Sequence, residues 1–208
     1  MAINTLERYR LARDNAWQWR SELGILKKIG LALGIACLVG LLAQVRVPLP
    51  WTPVPITGQT FGALLAGVLL GSWWGGISLG LYAGLGVAGV PWFNGWSAGA
   101  SHIAGPTGGY IIGFILAGLF LGLVTDKFVK TRNFPVLLIL MLGADFVLVF
   151  GSGLLQLGMW LNLAGKGVDI WQLLAMGLTP FIAGDIIKVI AAAGAAWALS
   201  SKQSQEKS

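Results

Sequence analysis

Long apolar runs separated by short polar segments dominate the pattern of this chain. A helix needs about 20 apolar residues to cross a bilayer, so runs of this kind predict transmembrane segments. We place six of them, the second being short for a full crossing: Leu26–Val45, Thr60–Leu70, Trp74–Val90, Gly108–Val124, Val136–Leu161 and Leu173–Leu199. The pattern predicts an all-α integral membrane protein, a six-transmembrane-helix bundle over residues 26–199.

The composition supports lipid as the surroundings of these runs. Of 208 residues, 56% are hydrophobic and only 11% are charged. A soluble domain of this length has too little interior to bury so much apolar surface. The net charge of +6 does not indicate nucleic acid, because the basic residues form no dense basic face or recognition motif. They flank the apolar runs, where an anionic lipid surface is the expected partner.

The distribution of Lys and Arg predicts the orientation. Eleven of the fourteen lie near the start of the first run, between the fourth and fifth runs, or after the last, and only Arg46 and Lys166 lie in the opposite connections. Cytoplasmic segments carry the excess of basic residues. We therefore expect a multi-pass protein of the cytoplasmic (inner) membrane with both termini in the cytoplasm. Residues 1–25 then form a cytoplasmic extension, either an amphipathic helix or a flexible segment, and residues 200–208 form a cytoplasmic tail.

Two connections expected on the outer side are rich in Pro and Gly. Residues 48–59 contain four prolines, which remove amide donors and favour extended backbone, so this segment cannot be helical. Residues 91–110 hold neutral polar and aromatic side chains, and we expect His102 among them to be an interfacial loop residue rather than a ligand contact. Irregular backbone near membrane depth requires cover by protein or a cavity. We expect partly re-entrant connections that close over a pocket.

A candidate ion pair lies in the last apolar run. Asp185 and Lys188 are about one helical turn apart, so they share a helix face. Ionisable side chains at lipid depth are costly and are usually retained for a polar ligand, an ion path or a helix partner. Two interpretations stand for this pair: contact with a ligand, or a salt bridge that only fixes the last helix.

Asp145, in the middle of the fifth run, is a second carboxylate at lipid depth. It could be protonated, face water or bond to a neighbouring helix. With Asp185 it could also form the dyad of an intramembrane aspartyl protease. That interpretation is poor, because the Gly-x-Gly-Asp and Pro-Ala-Leu signatures are absent and Lys188 would keep Asp185 ionised. Zinc and nucleotide-binding motifs are absent too, so we expect no enzyme activity, no metal and no cofactor.

Small residues recur every four positions in the first run. Ala32 with Ala36, and Gly30 with Gly34, form narrow stripes where another helix can approach closely. Tight packing within the chain explains the same spacing, so the stripes alone do not indicate a partner.

Three motifs in a fixed order resemble a known family. They are PVPITGQTFG at residues 53–62, GPTGGY at residues 105–110 and AGDIIK at residues 183–188. Within a chain of six apolar runs they resemble BioY, the biotin-binding S components (substrate-capture subunits) of energy-coupling-factor (ECF) vitamin transporters. The likeness covers about Leu31 to Leu199 and leaves out the N-terminal extension.

The resemblance implies biotin uptake, with biotin bound at high affinity on the outer face. It also implies docking on a transmembrane coupling subunit with two cytoplasmic ATPases. In the family the Ala-rich first helix is the docking surface, which points to Ala32 and Ala36. A second hypothesis remains open: a stand-alone or ion-coupled carrier of biotin or another small acid, with Asp145 or Asp185 as the proton site.

The resemblance also implies site residues. Asp185 and Lys188 stand where the family's ligand site lies, so Asp185 is expected to accept from the ureido N–H groups of biotin and Lys188 to donate to its carbonyl. Asn94 is a further candidate, although it stands one position early relative to the family's Pro-x-Phe-Ala-Asn. Motif position adds three pocket-wall candidates: Thr57, Gln59 and Tyr110. Arg46 could attract the acid tail, or could be an interfacial side chain.

Overall fold

The computed structural model describes residues 5–201 and shows a helical bundle with one short hairpin. Its α-helices are α1 (Thr5–Glu22), α2 (Ile25–Leu42), α3 (Gln59–Leu70), α4 (Ser72–Val87), α5 (Ala100–Ala104), α6 (Gly108–Lys127), α7 (Phe134–Gly143), α8 (Phe150–Leu163), α9 (Ile170–Gly177) and α10 (Ile182–Leu199). A 3₁₀ turn, Val129–Arg132, separates α6 from α7, and a π-helical turn, Ala144–Val149, joins α7 to α8.

Four helical stretches within residues 5–201 are long and apolar enough to cross a membrane. They are α2, α6, the continuous helix Phe134–Leu163 that contains α7, the π turn and α8, and α10. Helices α3 and α4 coincide with the second and third predicted runs but have only 12 and 16 residues. The apolar runs therefore predicted where helices form, whereas length and composition single out four crossings rather than six.

Helix α6 forms the centre of the bundle, packing against α3, α4 and α8. Its approach to α3 and α4 depends on glycine. A Cβ at Gly67 on α3 and a Cβ at Gly75 on α4 would each lie 2.9 Å from the backbone O of Gly118 on α6. Small residues that let backbones approach this closely are a main source of helix association in lipid.

The last predicted run is two helices rather than one. Helix α9 ends at Gly177 and α10 begins at Ile182. Pro180 lies between them, and proline has no N–H to continue a helix and restricts the residue before it. The prediction of one continuous span over Leu173–Leu199 was wrong for this reason.

The connection between α2 and α3 is not helical, as its prolines predict. Strands β1 (Arg46–Val47) and β2 (Ile56–Thr57) pair antiparallel, with Arg46 opposite Thr57. Between the strands, Thr52 Oγ1 donates to Met176 O at 2.8 Å and accepts from the backbone N–H of Val54 at 3.2 Å. These bonds fasten the hairpin loop to α9.

Within the N-terminal extension, residues Thr5–Glu22 form helix α1. Trp17 is 4% exposed, and the guanidinium carbons of Arg20 and Arg132 lie 4.1 and 4.6 Å from its ring. Both guanidinium groups donate to Asp126 Oδ1, at 3.0 and 3.4 Å. This cluster fastens the end of α1 to the ends of α6 and the 3₁₀ turn. Residues 1–4, and residues 202–208 of the predicted tail, lie outside the described part of the chain.

Ala32 and Ala36 do not form a surface. Both are 0% exposed on α2, which packs against α3 and α4. Gly30 and Gly34 are exposed instead, with nothing within 4 Å of an added Cβ. Two positions along a helix turn a side chain by roughly 200°, so the two stripes face opposite ways. In this structure Ala32 and Ala36 pack within the chain, which explains their spacing, and a docking role for them stays a prediction.

Candidate functional site

A cavity lies among the first connection, α3, α6, the π turn and α10, with part of the connection between α4 and α6 at its side. All the predicted substrate-binding residues line it: Thr57, Gln59, Asn94, Tyr110, Asp185 and Lys188. They come from segments far apart in sequence, so the fold rather than local spacing assembles the site.

Asp185 and Lys188 form the wall provided by α10. Asp185 is 2% exposed, and Lys188 Nζ is ion-paired with Asp185 Oδ1. Lys188 Nζ also donates to the backbone O of Thr57 at 2.9 Å. The pair thus joins α10 to the first connection and at the same time faces the cavity.

Thr57 and Gln59 stand at the junction of β2 and α3, in a chain of hydrogen bonds. Thr57 Oγ1 donates to Gln59 Oε1 at 3.0 Å, and Gln59 Nε2 donates to Tyr82 Oη at 2.8 Å. Trp92 Nε1 donates in turn to the backbone O of Tyr82 at 2.9 Å. Because both ends of the Gln59 amide are engaged within the protein, Gln59 forms a fixed part of the wall.

Aromatic side chains form another part of the cavity lining, which we call the aromatic wall: Tyr110, Phe150 and Phe181. Tyr110 Oη donates to Gly177 O at 2.8 Å, which fixes the break before α10. The Tyr110 and Phe150 rings are 6.0 Å apart and nearly perpendicular, and the Phe150 and Phe181 rings are 6.1 Å apart. Edge-to-face and tilted contacts at these distances are favourable. This side of the cavity suits an apolar ring.

The connection between α4 and α6 is built around His102. Asn94 Nδ2 lies 3.2 Å from His102 Nε2, and Ser97 Oγ lies 3.0 Å from His102 Nδ1. Phe93 stacks on the imidazole with ring centroids 4.6 Å apart, and burial lowers the pKa of His102. His102 lines the cavity. The half-buried ring thus lies beside Asn94 on the cavity wall, and the expectation that it makes no ligand contact stays a prediction.

Asp145 lies behind the cavity wall. It is 0% exposed, and neither carboxyl oxygen has a hydrogen-bond partner among the residues the structure describes. It stands in the π turn about one turn before Val149, which does line the cavity. Asp185 and Lys188 are close enough for their charges to act on it.

Arg46 does not line the cavity. It is exposed, and its Nη1 would lie 2.6 Å from a Cβ at Gly95, where φ is +72°. This position favours the second of its two interpretations, an interfacial side chain.

Several lining residues escaped the sequence analysis: Thr60, His102, Thr107, Phe114, Phe150 and Phe181. Thr60 and Thr107 belong to the first two motifs, so motif membership could have indicated them. The phenylalanines look like any other apolar position of their runs. Only the packing of the helices distinguishes them.

The chain is similar to known proteins in both sequence and structure. A model of the BioY family matches residues 13–205. The probable biotin transporter BioY of Methanothermobacter thermautotrophicus is 46% identical over 140 residues, which cover 67% of this chain and 89% of that relative. The biotin transporter BioY of Rhodobacter capsulatus is 35% identical over 169 residues, covering 74% and 86%.

A solved structure is similar as well. It is the crystal structure of the S component for biotin from an ECF-type ABC transporter, with a TM-score of 0.75 and 28% sequence identity. The match covers 84% of this chain and 90% of that one.

Proposed function

This chain belongs to the BioY family, and from that premise we propose that its cavity is the biotin site of an ECF-type transporter. The protein acts in biotin transport and is not an enzyme. The observation that supports the site is the Asp185–Lys188 ion pair, whose carboxylate is buried yet lies with its lysine on a cavity wall. A salt bridge that served only to fix α10 would not need that position.

The polar groups match the ureido ring of biotin. That ring has two N–H donors and one carbonyl acceptor. Asp185 accepts from the ureido N–H groups, which it shares with the amide of Asn94, and Lys188 donates to the carbonyl. Charge-assisted hydrogen bonds of this kind are among the strongest available to a protein.

The other walls of the cavity suggest positions for the thioether ring and the acid tail of biotin. The thioether ring lies against Tyr110, Phe150 and Phe181. The acid tail extends toward a second cavity, which shares Asn94, His102 and Thr107 with the first and adds the hydroxyl groups of Ser97 and Ser101. Thr57 and Gln59 hold the wall behind the ring. A mostly apolar pocket with a few oriented polar groups is typical of small-molecule sites.

The protein is a membrane protein, and we propose the finer arrangement as follows. Residues 26–199 cross the cytoplasmic membrane six times, with the short helices α3 and α4 as the second and third crossings. The basic segments at both termini and around Lys127–Arg132 lie in the cytoplasm. The extension 1–25 and the tail 200–208 flank this substrate-binding domain.

Transport against a gradient requires partners, because this chain has no nucleotide-binding motif. We propose a transmembrane coupling subunit and two cytoplasmic ATPases, as expected of an S component. Since Ala32 and Ala36 are buried, the coupling subunit must contact other surfaces unless α2 moves away from α3 and α4.

The direct test is ligand identification followed by titration. Protein purified in detergent is unfolded, and released small molecules are identified by mass spectrometry. Stripped protein is then titrated with biotin while the fluorescence of its ten Trp residues is followed. We expect released biotin and saturable one-to-one binding that Lys188→Met abolishes.

The matched control is Lys166→Met, which removes an exposed lysine that does not line the cavity. We expect this variant to bind biotin like the wild type. If the folded wild-type protein neither contains nor binds biotin, the proposal that biotin is the substrate is wrong. If Lys188→Met and Lys166→Met bind biotin equally well, the assignment of this cavity as the biotin site is wrong.

One observation favours a second function, a stand-alone proton-coupled carrier. The buried Asp145, without a hydrogen-bond partner among the described residues, is a site where a proton could be carried. Proteoliposomes that contain this chain alone test it. Biotin uptake that depends on a pH gradient and is lost in Asp145→Asn would support the carrier, and absence of uptake without partner subunits would support the ECF mechanism.

A further inference from the structure

His102 is the only histidine of the chain, and both of its ring nitrogens are engaged. Nδ1 faces Ser97 Oγ at 3.0 Å. Nε2 faces Asn94 Nδ2 at 3.2 Å and Thr107 Oγ1 at 3.3 Å. Since Asn94 is a candidate ligand contact, the protonation of this ring bears on the site itself.

The hydroxyl of Ser97 determines which ring nitrogen carries the hydrogen. A serine hydroxyl has a single proton, and Ser97 Oγ donates it to the backbone O of Asn94 at 2.9 Å. Toward His102, Ser97 Oγ can therefore only accept, so Nδ1 must be the N–H. In the neutral imidazole the other nitrogen, Nε2, is then an acceptor.

Because Nε2 of His102 carries no hydrogen, it also determines how the Asn94 amide is oriented. It accepts from the Asn94 NH₂ group and from the Thr107 hydroxyl, and it would repel the amide oxygen. With Nδ2 facing the ring, Asn94 Oδ1 has no donor among the described residues. That oxygen is the end of the amide left for a ligand in the cavity that Asn94 lines.

We propose that neutral His102 is a positioning residue that holds the Asn94 amide with its oxygen available to the substrate, and that protonation of His102 reverses this amide. An imidazolium has N–H groups at both nitrogens, so Nε2 would then require the amide oxygen and Asn94 would present NH₂ to the cavity. A ureido N–H would meet a donor instead of an acceptor. The inference rests on the proposed function, since it concerns the same ligand site.

The surroundings of the ring set the direction of the pH effect. Its immediate neighbours Phe93, Ser97 and Thr107 are uncharged. The charged groups that share its cavity, Asp185 and Lys188, are paired with each other. Of the other nearby groups, Asp145 lies behind the wall that includes Val149, and Arg46 lies against Gly95 at the outer edge.

Because burial lowers the pKa of His102 below its ordinary value of about 6.5, the neutral ring prevails at pH 7 and above. We therefore expect substrate affinity to be highest at pH 7 and above, and to fall as the pH drops through the pKa of His102.

The first test needs no ligand. Protein labelled with ¹⁵N-histidine gives ring signals from this one residue, and their chemical shifts distinguish the Nδ1–H tautomer, the Nε2–H tautomer and the imidazolium. We expect the Nδ1–H tautomer at pH 7.5. An Nε2–H tautomer or an imidazolium at that pH would overturn the inference whether or not biotin is the substrate.

The second test measures biotin affinity between pH 5.5 and pH 7.5. The wild type should lose affinity progressively toward the acid end, by at most about tenfold, the factor that one ordinary hydrogen bond supplies. His102→Ala and Asn94→Ala should each be about tenfold weaker at pH 7.5 and independent of pH, and the double variant should be no weaker than either one. The control Lys166→Met, at an exposed position that lines neither cavity, should keep the wild-type profile.

A pH profile that persists in His102→Ala, or a further loss when His102→Ala is added to Asn94→Ala, would overturn the role of His102. Thermal unfolding checks that each variant is folded, and His102→Gln replaces the alanine variant if that one is not. Absence of biotin binding by the wild type would overturn the proposed function. The role of His102 would still be tested by the tautomer found in the first experiment.

Discussion

Neutralising both members of the Asp185–Lys188 pair separates a ligand site from a structural salt bridge. Breaking a buried pair by removing one partner costs about 3–5 kcal/mol of unfolding free energy. In Asp185→Asn, the Lys188 side chain is 18% exposed and keeps its bond to Thr57 O, so we place that cost near the lower end. In Lys188→Met, the 3% exposed side chain of Asp185 loses its counter-charge, so we place that cost near the upper end. The double variant Asp185→Asn/Lys188→Met should recover most of the loss, because neutral groups of similar size often replace a buried pair without cost.

Biotin affinity should not recover in the double variant. Each hydrogen bond to a charged group contributes about 1.5–3 kcal/mol, so loss of two weakens binding by roughly a hundredfold to ten-thousandfold. Thermal unfolding followed by Trp fluorescence measures stability, and isothermal titration calorimetry on stripped protein measures affinity. A double variant with both wild-type stability and wild-type affinity would refute the ligand role and leave a salt bridge that only fixes α10.

Two further predictions concern the framework that holds the site. Gly67→Ala should cost about 1–3 kcal/mol of unfolding free energy by overpacking, because its Cβ would lie 2.9 Å from Gly118 O, whereas Gly80→Ala, with nothing within 4 Å, should be close to neutral in the same thermal unfolding assay. Asp126→Asn should leave the guanidinium groups of Arg20 and Arg132 without their shared carboxylate. Amide hydrogen exchange in α1 should then speed up while biotin affinity stays unchanged, and unaltered exchange would show that the remaining contacts, such as the bond from Arg20 to Leu69 O, are enough to hold the helix.

The sequence predicted the helices well because their physical cause is local. A long apolar run must be helical in lipid, since its backbone groups have no other hydrogen-bond partners. The π turn at Ala144–Val149 and the separation of α9 from α10 were not predicted. The second of these had a visible cause in Pro180. The first depends on packing against α6 and had no sequence signal that we recognise.

Site residues could be predicted from the sequence where a charged side chain interrupts an apolar run. They were harder to predict in the irregular connections and among ordinary apolar positions. Asp185 and Lys188 are conspicuous because charge is costly there. Ala32 and Ala36 show the opposite case, since four-residue spacing gives a stripe but does not tell which way the stripe faces. His102 could not be assigned from its neighbours in sequence, because its hydrogen bonds reach across the folded connection to Asn94 and Ser97.

The proposed site would select its substrate by the ureido ring rather than by the sulfur atom. In it, Asp185 and Asn94 provide acceptors for the two ureido N–H groups, and each side chain is held by a neighbour, Lys188 in one case and His102 in the other. Dethiobiotin keeps both N–H groups and loses only contacts with the aromatic wall, so it should bind about 10- to 200-fold more weakly than biotin. Biotin methylated on a ureido nitrogen leaves a buried acceptor unpaired, and sites of that kind reject such analogues by about 10⁴-fold. Calorimetric titration of one protein preparation with the three compounds gives the order directly. If the two analogues were weakened equally, the ureido ring would have to lie away from Asp185 and Asn94.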